Sequence, residues 1–173
     1  MRIFLTGFMA AGKTTVGREL AALLGASFID LDRAIEEHAG ASVAEIFSRD
    51  GEDGFRRLER EALERVTAAG ADPLVVATGG GTMTDERNRR LMAESGLVVW
   101  LDPDFEVLSD RLTRAVAGER PLFHDPEQAR RLLERRRGDY RHADVHLRIE
   151  ATEDPRGVAS RILERLDDPT CDT

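Results

Sequence analysis

Between a short apolar run, Ile3-Phe4-Leu5, and an amphipathic stretch from Thr14 lies Gly7-Phe8-Met9-Ala10-Ala11-Gly12-Lys13-Thr14. The segment matches G-x-x-x-x-G-K-[ST]. In such a loop backbone N–H groups cradle phosphates, the lysine reaches the β/γ-phosphates, and the hydroxyl binds Mg²⁺. Its setting strengthens the match. A strand that feeds the loop straight into a helix adds the positive end of that helix to the cradle. Lys13 is also the only lysine of the chain; the other 24 of its 25 Lys and Arg residues are arginine. In so biased a background, a lysine here marks a task for a compact ammonium on a flexible stem.

Short apolar runs alternate with longer amphipathic stretches along the rest of the chain. Strands are predicted at Ile3–Leu5, Ser27–Ile29, Leu74–Ala77, Leu97–Leu101 and Val145–Ile149. Helices are predicted at Thr14–Leu24, Ala34–His38, from about Glu52 to Ala69, and at Pro155–Leu166. Ser42-Val43-Ala44-Glu45 has the form of a capping box ahead of Ile46 and Phe47. Continuous apolar strands separated by helices imply a parallel sheet covered on both faces. The predicted fold is therefore α/β, a three-layer α/β/α sandwich on five strands, in one domain over residues 1–166. Two regions break the alternation: an irregular loop over Ala115–His124, and a densely basic stretch over Leu132–His142. Residues 167–173 read as a frayed tail.

The net charge of −8 argues against a nucleic-acid partner, which requires a basic face. No apolar run approaches the ~18 residues of a membrane span, so no membrane partner is expected. The single cysteine, Cys171, cannot form an internal disulfide and fits a reducing cytosol. Strand-like sequence begins at Arg2, so no cleavable signal is expected, and the predicted location is cytoplasmic.

Asp30-Leu31-Asp32 closes the second strand. If Leu31 faces the core, the strand period sends both carboxylates to the carboxyl edge of the sheet, where such folds bind ligands. One could hold the metal's water shell and the other could orient or deprotonate an attacking hydroxyl. The competing role for Asp32 is to cap the helix that follows. Thr78-Gly79-Gly80-Gly81 follows the third strand where P-loop enzymes often carry an acid. Its glycines offer bare backbone and room for a ligand, or simply a turn. Arg56 and Arg57 open a helix, Arg120 lies in the irregular loop, and Arg135-Arg136-Arg137 form a basic run. The sequence does not set which of those three faces inward. His38, His124, His142 and His146 show no metal-ligand spacing.

Taken together, several motifs resemble those of shikimate kinases. They are Gly7 to Arg18, Phe28-Ile29-Asp30-Leu31-Asp32, Ser42 to Phe47, Gly51-Glu52 through Phe55-Arg56, Thr78 to Gly81, Arg120-Pro121-Leu122, and Arg136 four residues before Tyr140. The resemblance implies the nucleoside-monophosphate-kinase type of P-loop fold, with strand order 2-3-1-4-5 and a lid over about residues 111–124. It implies γ-phosphoryl transfer from ATP, with Mg²⁺, to the 3-hydroxyl of shikimate, by a monomer. Lys13 and the loop (Gly7, Ala10, Ala11, Gly12, Thr14, Thr15) would bind ATP phosphates, with Arg120 arriving on the lid. Thr14 would ligate the metal directly and Asp30 through water. Asp32 would bind the acceptor and act as base. Arg56 and Arg136 would clamp its carboxylate, and Gly79, Gly80 and Gly81 would contact the ring hydroxyls.

The alternatives are a kinase for another small acid, such as gluconate, and a nucleotide-binding regulator without catalysis. The Asp30/Asp32 pair beside a triple glycine speaks against the first, and intact Lys13, Thr14 and Asp32 against the second. Three departures from the family pattern stand out. Ala10 occupies a loop position where glycine is common, which implies a negative φ there. Phe123 stands where the lid usually carries leucine. Glu153 stands where a basic or amide residue is expected beside adenine.

Overall fold

The computed structural model describes residues 1–70, 72–116 and 125–167. Five strands form one sheet in the order β2-β3-β1-β4-β5. They are β1 (Arg2–Thr6), β2 (Ser27–Asp30), β3 (Leu74–Ala77), β4 (Leu97–Pro103) and β5 (Val145–Ile149). Every pairing is parallel. The helices are α1 (Lys13–Leu24), α2 (Leu31–Ala39), α3 (Val43–Ala68), α4 (Glu86–Ser95), α5 (Phe105–Val116), α6 (Pro126–Tyr140) and α7 (Pro155–Asp167), with a 3₁₀ turn at Thr82–Thr84. The architecture is the expected α/β/α sandwich.

β3 is buried along its whole length, and β1 and β4 everywhere but their first residue, because helices cover both sheet faces. β5 lies at an edge and alternates buried and exposed residues. Ile3, Phe4, Leu5, Val75, Val76 and Val99, each fully buried, form the middle of a hydrophobic cluster that draws on α1 through Leu20 and α2 through Ile35.

Register brings the strand ends level. Asp30 lies opposite Ala77, and Ala77 opposite Leu5. The loop after β1, the carboxylates after β2 and the glycines after β3 therefore emerge at one edge. The first of these loops must turn sharply. Gly7 has φ 135°, and a β-carbon there would sit 2.4 Å from the Leu101 carbonyl oxygen.

Several local expectations change. β2 ends at Asp30, and Asp32 lies in the first turn of α2. The strand-period argument for a co-facing carboxylate pair thus fails, although helical geometry still brings Asp32 to the site. It is Asp30, not Asp32, that caps α2, accepting the Arg33 amide at 3.3 Å. The two pieces around Ser42 and Glu52 merge into α3, which kinks at Gly51 (φ 70°). The Ser42–Glu45 capping box is formed. The basic stretch belongs to α6, which begins at Pro126 after an Asp125 cap. Ala10 does not keep a negative φ: it stands at φ 61°, the one non-glycine residue at positive φ among those described. Residues 111–116 of the expected lid continue α5. Arg120, Phe123, His124 and the tail beyond residue 167 lie outside the described residues.

Candidate active site

The N-termini of four helices are closed by their own side chains: Asp30 for α2, Ser42 for α3, Asp85 for α4 and Asp125 for α6. α1 begins differently. Its cap is Gly12, at φ 97°, with no side-chain hydrogen bond and no acid in the first turn. The first amides of a helix have no partner within it. Here no side chain closes them, so they face the loop as an anion-binding end. The Lys13 ammonium donates to the carbonyls of Gly7 (2.8 Å) and Phe8 (2.9 Å), so it lies across the loop it belongs to.

Beneath the loop, Thr14 Oγ1 donates to Asp30 Oδ2 at 2.7 Å. A cleft of about 490 Å³ runs from here past Asp32, Thr78 and Gly80 on one side toward Ile149, Glu153 and Pro155 on the other. Arg111 lines the same cleft and donates to the Ala10 carbonyl at 3.1 Å. Glu153 does not present an open charge there. It accepts from Arg161 at 2.6 Å and from the Glu150 amide at 2.8 Å. Slight burial would raise its pKa, but these two donors outweigh that and hold it below the usual carboxylate value.

The triple glycine forms the floor of the other half. A β-carbon on Gly79 would lie 2.9 Å from Glu59 Oε1 and 3.0 Å from Asp32 Oδ1. One on Gly81 would lie 2.3 Å from Arg56 Nη2. A side chain at Gly79 or Gly81 would push on an acid or a guanidinium, which glycine avoids. Arg56 sits over this floor on α3 and donates to Glu59 (2.8 Å) and Glu52 (3.2 Å). Burial alone would lower its pKa, but the attraction and hydrogen bonds of Glu59 and Glu52 raise it instead.

Glu59 is completely buried (0% exposed) and also accepts from Thr82 Oγ1 at 2.6 Å. Of the basic run, Arg136 turns inward and donates to the Gly80 carbonyl at 3.1 Å. Arg137 instead reaches buried Asp102 at 3.5 Å, and Arg135 stays exposed. Asp102 also meets His146 (2.8 Å) and Arg148 (3.1 Å), and the His146 ring stacks on Trp100 at 4.0 Å. That histidine therefore has a structural role.

The structure thus brings Lys13, Thr14, Asp30, Asp32, Arg56, Gly79–Gly81 and Arg136 to one sheet edge. Arg57 is not among them; it is exposed and pairs with Glu61. Sequence reasoning missed Glu59 and Arg111. Glu59 carried a readable signal: it falls on the apolar stripe of α3 between Phe55 and Leu63, where a charged residue calls for a partner.

A phosphate loop facing an acid and a pair of guanidiniums, on a sheet of order 2-3-1-4-5, defines a P-loop small-molecule kinase of the nucleoside-monophosphate-kinase type. The profile of the shikimate kinase family matches residues 9–167. The chain is 43% identical to the shikimate kinase of Symbiobacterium thermophilum over 96% of both chains. It is 47% identical to that of Parasynechococcus marenigrum over 95% of this chain and 85% of the other. Among solved structures, shikimate kinase from Acinetobacter baumannii in complex with shikimate superposes with a TM-score of 0.87 and 40% identity, covering 95% of this chain and 92% of that one. The chain belongs to the shikimate kinase family.

Proposed function

We propose that the protein transfers the γ-phosphoryl group of MgATP to the 3-hydroxyl of shikimate. The observation that supports this best is the glycine floor. Asp32, Arg56 with its buried partner Glu59, and Arg136 all converge on Gly79–Gly81, beside the phosphate loop. Two guanidiniums suit one carboxylate, which they can hold by paired charge-assisted hydrogen bonds. The carboxylate of Asp32, beside bare backbone, suits a hydroxyl that must be oriented and relieved of its proton.

In this reading the α1 amides and Lys13 bind the nucleotide phosphates, and Arg111 flanks the nucleotide from α5. Arg56 and Arg136 fix the acceptor, and Asp32 takes the proton of the attacking hydroxyl. Phosphoryl transfer requires mainly such positioning and charge complementarity. Arg120 would add a cation over the phosphates.

The donor set also fits Mg²⁺. Among the described residues no group of three or more His, Cys, Asp or Glu could form a metal cage. A magnesium ion bound chiefly by waters and phosphates needs only one or two protein oxygens, and Thr14 and Asp30 supply them. When bound, Mg²⁺ would neutralise charge building between the β- and γ-phosphates.

The same reading takes residues 1–166 as one kinase domain acting as a cytoplasmic monomer, and light scattering on the purified chain tests the monomer. The functional test is coupled ADP release from MgATP with shikimate, gluconate or no acceptor. Turnover with shikimate alone is expected. Equal turnover with all three, or none, would remove the acceptor assignment and leave only an ATP site.

A further inference from the structure

Tyr140 is the only tyrosine of the chain, and none of the roles above uses it. Its side chain is fully buried, with the ring 5.6 Å from Trp100. Its hydroxyl donates to the Gly80 carbonyl at 2.5 Å. Arg136, one helical turn earlier on α6, donates to the same oxygen at 3.1 Å. A carbonyl has two lone pairs, so both donors are accommodated together.

Gly80 is also where the glycine floor meets the phosphate loop. A β-carbon there would lie 3.3 Å from the Met9 amide nitrogen and 3.7 Å from the Gly7 carbonyl oxygen. One oxygen therefore ties α6 to the floor, directly beside the loop.

The two donors differ in freedom. Arg136 has a long stem and five N–H groups, so one hydrogen bond alone leaves its guanidinium free to swivel. Tyr140 has a rigid ring with two side-chain torsions, packed on all sides. The tyrosine thus fixes the carbonyl, and the carbonyl fixes one edge of the guanidinium.

We propose that Tyr140 is a positioning residue for the acceptor: its hydroxyl holds the Gly80 carbonyl so that Arg136 presents its remaining N–H groups to the incoming carboxylate. Burial also pushes the phenol up to about 12, so the hydroxyl stays a donor throughout the neutral range. The inference rests on shikimate being the acceptor.

Tyr140→Phe removes the hydroxyl and keeps the ring. With wild type as reference, the shikimate KM is expected to rise about 3- to 10-fold, the effect of one neutral hydrogen bond. The MgATP KM and kcat are expected to stay within about two-fold. In an Arg136→Lys background the same substitution should change the shikimate KM by less than about two-fold, because no oriented fork remains to be lost. A purely structural tyrosine would not shift one KM selectively, and its effect would be the same in both backgrounds.

An unchanged shikimate KM, parallel changes in both KM values, or equal effects in both backgrounds would overturn the inference while leaving shikimate kinase activity intact. Failure of the wild type to phosphorylate shikimate would overturn both together. Should Tyr140→Phe not fold, the wild-type sequence carrying meta-fluorotyrosine gives a single fluorine NMR signal. That signal is expected to move on adding shikimate without nucleotide and to hold still on adding ADP alone. A signal unmoved at saturating shikimate would overturn the inference.

Discussion

The two halves of the cleft are built from different materials. The phosphate half is mostly backbone: the α1 amides under a glycine cap, with a lysine lying across its own loop. Its cradle comes from one continuous segment, residues 7–14, with only Arg111 reaching it from α5. The acceptor half is mostly side chain: a buried carboxylate, two guanidiniums, an aspartate and a tyrosine. Its parts come from α2, α3, the loop after β3, and α6. A backbone cradle recognises any phosphate, whereas side chains locked on each other by charge and hydrogen bonds recognise one shape. Generic chemistry can therefore sit in a local motif, while specificity requires distant segments to meet.

If the halves are separable, damage to one should leave the other intact. Asp32→Asn keeps the shape and removes the base, and kcat is expected to fall about 10³-fold. Affinity for ADP, by calorimetry, should stay within about two-fold; a comparable loss of nucleotide binding would show the halves to be one unit.

The next largest effect tests how the acceptor half is held. Glu59→Gln leaves Arg56 without its buried counter-charge, and one-sided loss of such a pair costs about 3–5 kcal/mol. Arg56 is 18% exposed and keeps Glu52, so the lower end applies, about 3 kcal/mol. For a chain of this size that lowers Tm by about 6–12 °C. Glu52→Gln removes the exposed partner, 68% accessible, and should cost less than about 1 kcal/mol. Equal Tm losses for the two variants would refute the view that burial, not pairing, makes this half rigid.

The same contrast explains what could be read in advance. The phosphate loop was legible because its glycines, lysine and threonine are adjacent, and the strands because burial on both faces makes their apolar runs continuous. Asp32, Arg56 and Arg136 became assignable only through resemblance. Nothing local distinguishes Arg136 from Arg135 or Arg137; that choice is made by the rotation of α6 against Gly80. Asp102 gives no local sign of its buried role, because its partners Arg137, His146 and Arg148 lie more than thirty residues away. The φ of Ala10 depends on how the loop closes over α1, a geometry that residue identity alone would have excluded.

Tyr140 sharpens the comparison through pH. Unfolded, a phenol ionises near pH 10; folded, burial moves this one to about 12. Between those values the unfolded chain has released a proton that the native chain keeps, so stability falls as pH rises. The contribution is fully present below pH 10 and is lost by about pH 12, an effect of about 2–3 kcal/mol. Urea unfolding of wild type and Tyr140→Phe at steps across this window is expected to show the steeper alkaline decline only in the wild type. Parallel curves would mean that the acceptor half does not depend on a buried, protonated tyrosine.

The smallest effect concerns the phosphate half, where strain rather than burial is at stake. Ala10 stands at φ 61°, a conformation costing a residue with a β-carbon about 1–2 kcal/mol. Glycine would relieve it but adds about 0.5–1 kcal/mol of backbone entropy to the unfolded chain. The two terms oppose, so Ala10→Gly should stabilise by no more than about 1.5 kcal/mol, raising Tm by at most about 6 °C. The Arg111 bond to the Ala10 carbonyl gives the sharper test. If that bond helps to hold a strained peptide, Arg111→Met should lower Tm more in the wild type than in Ala10→Gly. If the losses are equal, Arg111 is not holding the strain, and the loop keeps its shape from Gly7, Gly12 and the α1 amides alone.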